Sequence, residues 1–555
     1  MPNWRFLLAV GLVFLLAIAL RFYLLGRVPV SLYWDETAIL VDARSIAATG
    51  QDMHGNSWLQ AILPSYGDYK LAVLIWLASL SVKLLGATEL AVRLPSALSG
   101  ILTMIFGGLI AGELLVSTKK LRWWLFVLTA AVIAIAPWSV LFSRTGFEGH
   151  VGQLLLAVSI WCALKARKQW GWGILAALIG GLATYTYFSI RFVWPVVFFL
   201  VVTLFTVKKT WRSFLLQLVV PFLLYAVSLR PMYQSPLYEA SNQFRLSATS
   251  VLNMADWPIV ANEYKLPAGN TLLDKAMYHP WVLISRELAK NYADNLSFDF
   301  LFLTGDPNLR HGTGRHGLFL WPFFLPLVYG WYTLFPKFWR QGVLLLGWWL
   351  VALLPASVPE TTPHALRSLN ALMPLSLVIA WGVWQWWRVT WQARQRQWLE
   401  KGIFLVWSMA VGLALFDFVT YYFQVYPALS AKEWQDGYKA VAHEAWVNRA
   451  DMDVVWVEPF DPRFYLWLLA YEVPVQEYRQ ISFNNYMPEA IENIRFRWFD
   501  WGKLPTLSEK TMLLARKDLI DWNLETAAYP PRWYKPLVRA DKVAEFAAVY
   551  FEKVE

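Results

Sequence analysis

Two adjacent carboxylates follow the first long apolar run of the chain, in the stretch SLYWDETA at residues 31–38. Neighbouring residues on a helix point about 100° apart, so Asp35 and Glu36 cannot both face the same atom. One of them can act on a substrate while the other holds the first in place. The alternative is that both stabilise the start of a helix, which contributes about 0.3–1 kcal/mol.

More ionisable residues of both signs follow the same apolar runs. They are Asp68 and Lys70 in GDYK, Arg93 at the start of an apolar run, Arg144 and Glu148 in a short turn, and Arg191 in a connection. Carboxylates among lysines and arginines suit a reaction in which a base takes a proton from a hydroxyl while cations hold a phosphate leaving group. The pattern favours sugar transfer from a lipid phosphate. For Arg93, an anchor at the membrane boundary explains the position equally well.

The composition indicates a polytopic membrane protein. Of the 555 residues 57% are hydrophobic and 16% are charged, whereas a soluble protein has about 25% charged residues. The net charge of +10 comes mainly from short connections, as is typical of topology signals and contacts with anionic lipids, so we expect no nucleic-acid partner. Cys162 is the single cysteine, which excludes a disulfide framework or a thiolate metal cluster.

Apolar runs of about 20 residues predict eleven membrane-spanning helices. We place them at 6–24, 91–115, 123–142, 151–165, 171–188, 192–207, 213–230, 317–335, 342–358, 369–387 and 403–422. Basic residues concentrate in five loops, around Lys119–Arg122, Lys165–Lys168, Lys208–Arg212, Lys337–Arg340 and Arg388–Lys401. The positive-inside rule predicts that these loops and the N-terminus are cytoplasmic, in a plasma membrane protein. The ionisable residues named above then lie on the outer face.

We expect a membrane domain over residues 1–425 and a small α/β domain outside the membrane over 426–555. In the first outer loop, 25–90, the segments 34–49 and 71–85 are predicted to form interfacial helices. A second large outer loop covers 231–316. In the tail, apolar runs at 453–457, 511–515 and 547–551 predict buried strands, and 433–447 has helical periodicity.

The ordered set of motifs resembles the protein O-mannosyltransferase and aminoarabinose transferase superfamily of type C fold glycosyltransferases. The motifs are WDE at 34–36, GDYK at 67–70, RLPSA at 93–97, SRTGFE at 143–148, YTYFSIR at 185–191, GDPNLRH at 305–311 and PHALRS at 363–368. The resemblance covers most of the membrane part. It implies transfer of a sugar from a polyprenyl-phosphate donor to an acceptor hydroxyl, with inversion at the anomeric centre and no covalent intermediate.

The resemblance also assigns roles to residues. Asp35 would be the general base, Glu36 its support, and Glu148 a further carboxylate near the acceptor. The donor phosphate would be held by Lys70, Arg93 and Arg191. Substrate-binding positions would be Asp68, Arg144, Arg310, His311, His364 and Arg367.

The resemblance leaves a divalent metal open, because Asp68 stands near the position where some relatives have a metal-binding glutamate. His311 or His364 would be its second ligand, although such histidines more often contact phosphate or carbonyl groups. The expected partners are the polyprenyl-phosphate sugar, membrane lipids, and an acceptor that is a glycan, a lipid or a protein.

Three other functions remain open. A transporter or flippase of a lipid-linked glycan would place charges at mid-membrane in broken helices, whereas here they gather at the outer ends. An oligosaccharide transferase or ligase with a diphosphate donor would share the architecture, and the DE pair favours the monophosphate branch through resemblance. A partner-binding protein would work through the tail, where the sequence shows no recognisable motif.

Overall fold

The computed structural model describes residues 4–115, 119–206, 210–248, 250–253, 256–392, 397–484, 487–501, 510–526 and 531–551. The chain divides into two compact units. Unit 1 comprises Met1–Tyr23 and Ser96–Thr420, and unit 2 comprises Leu24–Pro95 and Tyr421–Glu555. The predicted first outer loop and the predicted tail domain thus belong to the same unit. The predicted domain boundary at 425 stays a prediction.

Unit 1 is helical, and a helix overlaps each of the predicted spans. Its longer helices are Trp4–Phe22, Glu89–Leu114, whose first residues up to Pro95 belong to unit 2, Lys119–Ile135, Glu148–Lys165, Gly171–Thr184, Ile190–Val201, Val220–Ser228, Phe324–Lys337, Trp339–Ser357, Leu372–Gln392 and Gln397–Thr420. The segment predicted as the large outer loop contains the helices Tyr238–Ala248, Trp257–Ala268, Leu272–Met277 and Pro280–Asp294. The short helices Pro137–Ser143, Trp211–Phe214 and Arg230–Tyr233 complete the set with π-helical turns at Val202–Thr206, Leu215–Val219 and Asp299–Leu303.

Several of these helices have the length and composition of membrane spans. Within the described residues, Glu89–Leu114, Trp211–Tyr233, Trp339–Ser357 and Trp398–Leu429 meet both criteria. A fifth span results if Leu121–Ile135 and Pro137–Ser143, which meet at 66°, form one broken crossing. The chain is a helical membrane protein, and the count of eleven spans and its orientation stay predictions.

Two of the predicted cytoplasmic loops meet at one buried carboxylate in unit 1. Glu113 accepts hydrogen bonds from Arg122 at 2.5 Å, from Lys165 at 2.6 Å and from Arg167 at 3.0 Å. These cations come from the ends of different helices, so the basic loops around 119–122 and 165–168 lie at the same end of unit 1. The predicted basic residues Lys208, Lys209, Arg394 and Arg396 lie outside the described residues.

In unit 2 the first loop forms the two predicted helices, Trp34–Thr49 and Ala72–Leu85. The first begins with the Tyr33 N–H donating to Glu36 Oε2 at 3.4 Å. It ends at Gly50, whose φ of +73° favours glycine, and the Gly50 N–H closes the last turn on the Ile46 carbonyl. Between the helices, the strands Ile62–Pro64 and Tyr69–Leu71 pair antiparallel.

The tail of unit 2 forms a six-stranded mixed sheet with helices. In order across the sheet, the strands are Ala490–Ile491, Ile494–Phe496, Val454–Val457, Thr511–Arg516, Ala544–Phe551 and Trp533–Val538. The strand Val454–Val457 is parallel to both of its neighbours, and the other pairings are antiparallel. A separate pair is formed by Phe483–Asn484 and Met487–Pro488. The tail helices are Tyr426–Leu429, Tyr438–Asn448, Tyr465–Tyr471 and Lys517–Thr526.

The first loop is joined to the tail by partly buried hydrogen bonds within unit 2. Arg44, on the helix Trp34–Thr49, donates to the carbonyls of Leu469 at 2.7 Å and Val473 at 3.0 Å. These carbonyls belong to the C-terminal end of the helix Tyr465–Tyr471, where a cation is stabilising. The tail therefore supports the helix that carries Asp35 and Glu36.

Candidate active site

Asp35 receives two donors from one short hairpin. Both the Tyr66 hydroxyl and the Lys70 ammonium donate to Asp35 Oδ1. Lys70 also lies 3.3 Å from Asp68 Oδ2, so one ammonium serves two carboxylates. The Asp35 side chain is 25% exposed and Lys70 is 6% exposed, so a substrate can reach the carboxylate of Asp35.

The hairpin turn explains how residues 66 and 70 reach the same atom. Lys70 lies on the second strand opposite Leu63, and the turn residue Gly67 has a φ of +89°. Burial raises the pKa of the Tyr66 phenol well above its usual value, and the charge on Asp35 raises it further. Tyr66 therefore stays protonated and remains a hydrogen-bond donor to Asp35. Sequence reasoning missed Tyr66, since an aromatic residue in a turn carries no catalytic signature.

Glu36 has an entirely different environment from Asp35. Its side chain and that of Arg93 are both 0% exposed. Arg93 donates from Nε to Glu36 Oε1 and from Nη2 to Glu36 Oε2, each at 3.1 Å. The adjacent carboxylates thus have separate partners, in agreement with their 100° separation on the helix.

The remaining N–H groups of Arg93 hold the chain that leads into the helix. Nη1 donates to the carbonyls of Leu25 at 3.3 Å and Pro29 at 2.8 Å, and Nη2 donates to Ser31 at 2.5 Å. With the two bonds to Glu36, all five N–H donors of the guanidinium are used. A phosphate could bind Arg93 only after several of these buried bonds were broken.

The tail adds a cation next to Asp35 that the sequence did not indicate. The guanidinium of Arg463 lies 3.3 Å from the Trp34 ring centroid and 6.0 Å from that of Tyr66. Asp461 accepts from Arg463 Nε at 3.0 Å and from Gln435 Nε2 at 2.9 Å, and Gln435 in turn accepts from the Trp34 N–H. Only the fold brings Arg463 close to Trp34, which is why spacing along the chain could not find it.

Unit 1 brings the other predicted site residues, apart from Arg144, into a second group. The Tyr187 phenol interacts electrostatically with Arg367, Glu148 and Arg245. Arg245 lies over the Phe188 ring at 3.8 Å, and Arg191 lies over the same ring at 5.1 Å and donates to Asn242. Arg245 comes from the helix Tyr238–Ala248 and was not predicted, because nothing in its local sequence distinguishes it from a surface arginine.

The histidines of this group stand beside a carboxylate. The rings of His311 and His364 stack with centroids 4.7 Å apart, and His311 Nδ1 lies 3.7 Å from Asp306 Oδ2. Burial lowers the pKa of His311 to about 3, assisted by Arg310 and Arg367. Burial, the neighbouring His311 and the same arginines hold the pKa of His364 well below its usual range. Both imidazoles are therefore neutral at pH 7.

Asp306, His311 and His364 have the types of donor atom that bind a divalent cation. Their ligand atoms lie within 4.8 Å of one another, and two neutral imidazoles with one carboxylate are ligands that zinc accepts. His364 Nδ1 is buried without a hydrogen-bond partner in the described part of the chain. Burial raises the pKa of Asp306 to about 6, and its Oδ2 accepts the Ala365 N–H at 2.8 Å. The predicted ligand Asp68 is not a member of this group, since it pairs with Lys70 in unit 2.

Arg144 has a structural environment within unit 1. It is 0% exposed and donates to the carbonyls of Leu20 at 2.9 Å and Tyr23 at 2.8 Å. These carbonyls belong to the end of the helix Trp4–Phe22, where backbone acceptors lack intrahelical partners. These contacts explain why a buried arginine stands in this turn, and the predicted role of Arg144 in substrate binding stays a prediction.

Comparison with known proteins supports the fold. The family described as dolichyl-phosphate-mannose-protein mannosyltransferase matches residues 72–230. The structure of the oligosaccharyltransferase AglB from Archaeoglobus fulgidus, in complex with an inhibitory peptide and a dolichol-phosphate, superposes with a TM-score of 0.51 at 13% identity. That match covers 84% of this chain and 63% of AglB. The predicted resemblance to the type C glycosyltransferases is confirmed.

Other type C glycosyltransferase structures match over different extents. ArnT from Cupriavidus metallidurans bound to undecaprenyl phosphate has a TM-score of 0.49 at 12% identity, covering 98% of this chain and 97% of ArnT. AglB tethered with an acceptor peptide that contains the NVT sequon has a TM-score of 0.51 at 12% identity, covering 85% of this chain and 64% of AglB. At such identities the likeness concerns the fold. Among curated proteins, none matches this chain.

Proposed function

We propose that the protein is an inverting glycosyltransferase that moves a sugar from a polyprenyl-phosphate donor to an acceptor hydroxyl on the outer face of the membrane, with Asp35 as general base. The observation that carries this proposal is the contrast between Asp35 and Glu36. Asp35 is partly exposed and paired with a lysine and a phenol, whereas Glu36 is sealed in a buried ion pair with Arg93.

The transfer is a single displacement. The acceptor oxygen attacks the anomeric carbon, and its proton passes to the carboxylate of Asp35. The bond between the anomeric carbon and the phosphate oxygen breaks, and the polyprenyl phosphate leaves with the electron pair. No group of the protein becomes bonded to the sugar, so the configuration inverts.

Lys70 has two tasks in this proposal. In the free enzyme its ammonium pairs with Asp35 and Asp68. We propose that the ammonium turns toward the donor phosphate when the donor binds, since it is a point charge on a flexible stem. The move leaves Asp35 able to accept the proton and stabilises the charge that develops on the leaving phosphate.

For the donor phosphate we propose Lys70 and Arg463 in unit 2, with Arg93 in a supporting role. Arg463 is 29% exposed and lies over Trp34, next to Asp35 in the chain. Arg93 is 0% exposed and uses all its donors on Glu36 and on the backbone of 25–31. The initial assignment of Arg93 to the phosphate gives way here to a role in positioning the helix that carries Asp35.

For unit 1 we propose that Arg191, Arg310 and Arg367 bind anionic groups of a substrate and that Glu148 accepts from its hydroxyls. Arginine forms two parallel bonds with phosphate or carboxylate groups, which suits this role. Asp306, His311 and His364 would hold a divalent cation, which would add positive charge to this group. The displacement does not depend on that cation.

A diphosphate-linked donor is the second candidate. The AglB structures contain a dolichol-phosphate or an acceptor peptide, and one ArnT structure contains undecaprenyl phosphate, so polyprenyl phosphates bind proteins of this fold. Near Asp35, Lys70 is the buried, paired lysine and Arg463 is a partly exposed neighbouring arginine. These two cations suit a single phosphate better than a diphosphate.

The experiment uses purified full-length protein, radiolabelled polyprenyl-monophosphate and polyprenyl-diphosphate sugars, and bacterial membrane extract as acceptor. We expect transfer from one monophosphate donor and its loss in Asp35→Asn. Transfer from a diphosphate donor alone would overturn the donor assignment. Movement of the labelled lipid between the two leaflets of proteoliposomes, without transfer of the sugar, would establish a flippase instead.

A further inference from the structure

Three strands of the tail sheet end around one open cavity in unit 2. Glu458 directly follows the strand Val454–Val457, Trp498 follows Ile494–Phe496, and Arg516 ends Thr511–Arg516. With Pro459, Phe460, Asp518, Leu519 and Trp522 they line a cavity of about 600 Å³. These strands are mutually parallel, so the cavity lies at their carboxyl ends.

The sheet topology makes this a favourable place for a ligand. After the strand Val454–Val457, the chain forms its neighbour on one side, Ile494–Phe496, and then its neighbour on the other side, Thr511–Arg516. In α/β sheets, ligands bind at the carboxyl ends of parallel strands where the strand order reverses in this way. The cavity volume lies in the range of small-molecule sites, about 300–1,000 Å³.

Two large aromatic side chains in this cavity are exposed to solvent. Trp498 is 68% exposed and Trp522, on the helix Lys517–Thr526, is 64% exposed. Leaving two indoles in water is unfavourable by about 25 cal/mol for each Å² of apolar surface, and exposed apolar groups in a concave surface mark binding sites. The flat apolar faces fit the apolar faces of pyranose rings.

The polar groups of the cavity suit hydroxyls better than phosphates. Arg516 pairs with Asp518 through Nε at 3.1 Å and also through Nη2, and both side chains are more than half exposed. Glu458 is 3% exposed, and its carboxylate interacts with the Trp501 indole and the Phe499 backbone, while its Oε2 is buried without a hydrogen bond of ordinary geometry among the described residues. The three charged groups give a net charge of minus one, which disfavours anionic lipids and nucleotides. A ligand hydroxyl would satisfy the Glu458 oxygen and bond to the exposed ion pair.

We propose that this cavity is an oligosaccharide-binding site, with Trp498 and Trp522 as stacking platforms and Glu458, Arg516 and Asp518 as hydroxyl contacts. The sugar rings of a soluble oligosaccharide and those of a glycan chain on a lipid offer the same chemistry to it. The site lies in the tail sheet, away in sequence from Asp35 and Lys70, and the inference goes beyond the proposed transfer reaction and does not require it.

The test measures binding of mannotetraose, maltotetraose and cellotetraose by calorimetry. The full chain is placed in lipid nanodiscs, because glycoside detergents would compete for the site. We expect saturable binding of at least one tetrasaccharide and a weakening of at least tenfold in Trp498→Ala and in Trp522→Ala. Trp533→Ala is the matched control, since Trp533 is 38% exposed in the same sheet and does not line the cavity.

Glu458→Gln tests the polar contact in the same assay. We expect weaker binding with an unchanged unfolding midpoint, which separates loss of the contact from loss of the fold. The proposal would be overturned if no tetrasaccharide bound, or if Trp498→Ala and Trp522→Ala bound it as tightly as wild type. Brominated lipid quenches the fluorescence of tryptophans that contact the membrane. Quenching that is lost in Trp498→Ala or in Trp522→Ala would show a membrane contact instead, and would also overturn the proposal. A lipid-linked glycan that competes with the tetrasaccharide would identify the chain on the lipid as the natural source.

Discussion

The two groups of ionisable residues differ in the balance of their charges. In unit 2, the four carboxylates Asp35, Glu36, Asp68 and Asp461 face the three cations Lys70, Arg93 and Arg463, and each carboxylate has a cation within hydrogen-bond distance. In unit 1, the four arginines Arg191, Arg245, Arg310 and Arg367 accompany the two carboxylates Glu148 and Asp306. The first group has an excess of negative charge, and the second has an excess of positive charge.

One sequence pattern, carboxylates among basic residues, therefore serves two purposes in this protein. A paired and partly exposed carboxylate such as Asp35 can accept a proton from a substrate. A surplus of guanidinium groups cannot accept protons, but it binds anions. Changes in unit 2 should therefore affect the rate of the chemical step or the stability of the fold, and changes in unit 1 should affect substrate affinity.

The largest effect we expect is on stability, from Arg93→Met. The change leaves Glu36 buried without its cation, and breaking one side of a buried ion pair costs about 3–5 kcal/mol. The unfolding of purified protein should report this loss. Arg463→Met is the matched control. Because Arg463 is partly exposed, its substitution should lower the free energy of unfolding by about 1 kcal/mol or less. Equal stability of the two variants would remove the distinction between a supporting and a substrate-facing arginine.

Lys70→Met should reduce kcat/KM for transfer about a hundredfold, which corresponds to about 2.7 kcal/mol. The physical reason is the loss of the charge that stabilises the leaving phosphate. Lys70→Arg should recover part of the rate, because it keeps the charge with a different shape. A Lys70→Met enzyme with unchanged kcat/KM would rule out the turn of the ammonium toward the donor.

Arg367→Ala should raise the KM for the substrate whose anionic group it binds about tenfold, with little change in kcat. This change corresponds to a loss of about 1.4 kcal/mol in binding free energy. This split is expected of a residue that binds substrate equally in the ground and transition states. Arg230→Ala is the control, as Arg230 is an exposed arginine of unit 1. If Arg367→Ala instead lowered kcat at constant KM, the division of tasks between the two groups would be wrong.

The smallest effect concerns Asp42, which is buried on the helix Trp34–Thr49 and accepts the Met53 N–H at 3.0 Å. Burial raises its pKa well above the usual value, and Asp52 raises it further. Because the pKa is higher in the folded state, the stability from the neutral carboxyl is complete below about pH 4 and is lost as the pH rises through the folded pKa. Asp42→Asn keeps the acceptor and removes the titration.

Unfolding midpoints of wild type and Asp42→Asn at pH 4.5 and pH 8 check this sign. The variant should gain stability relative to wild type as the pH rises, because only the wild type has a buried carboxyl that must ionise. A difference between the two proteins that stays constant with pH would show that Asp42 does not ionise in this range.

Local sequence patterns predicted the helices well. Apolar runs located the long helices of unit 1, and the strands at 453–457, 511–515 and 547–551 appear as Val454–Val457, Thr511–Arg516 and Ala544–Phe551. Periodicity and glycine stops are local signals, so they are visible in one sequence. The same holds for the helix over 34–49 with its end at Gly50.

The composition of the site was less visible, because it depends on contacts between distant segments. Asp35, Lys70 and Asp68 were predicted and meet in unit 2. Tyr66 and Arg463 were missed, since a turn tyrosine and a tail arginine acquire their roles only from the fold. Asp306 was missed as a partner of His311 for the same reason. The sequence shows that Arg93 is present but not that its donors are all used.

If Asp35 acts on the substrate and Glu36 stabilises the fold, their variants must differ in one paired measurement. Asp35→Asn and Glu36→Gln are compared for transfer rate with the monophosphate donor and for unfolding midpoint in the same preparation. We predict that Asp35→Asn loses about a thousandfold in kcat with an unchanged midpoint, while Glu36→Gln lowers the midpoint and its folded fraction keeps most of the rate. Full activity in Asp35→Asn, or a thousandfold loss in Glu36→Gln at an unchanged midpoint, would contradict the account.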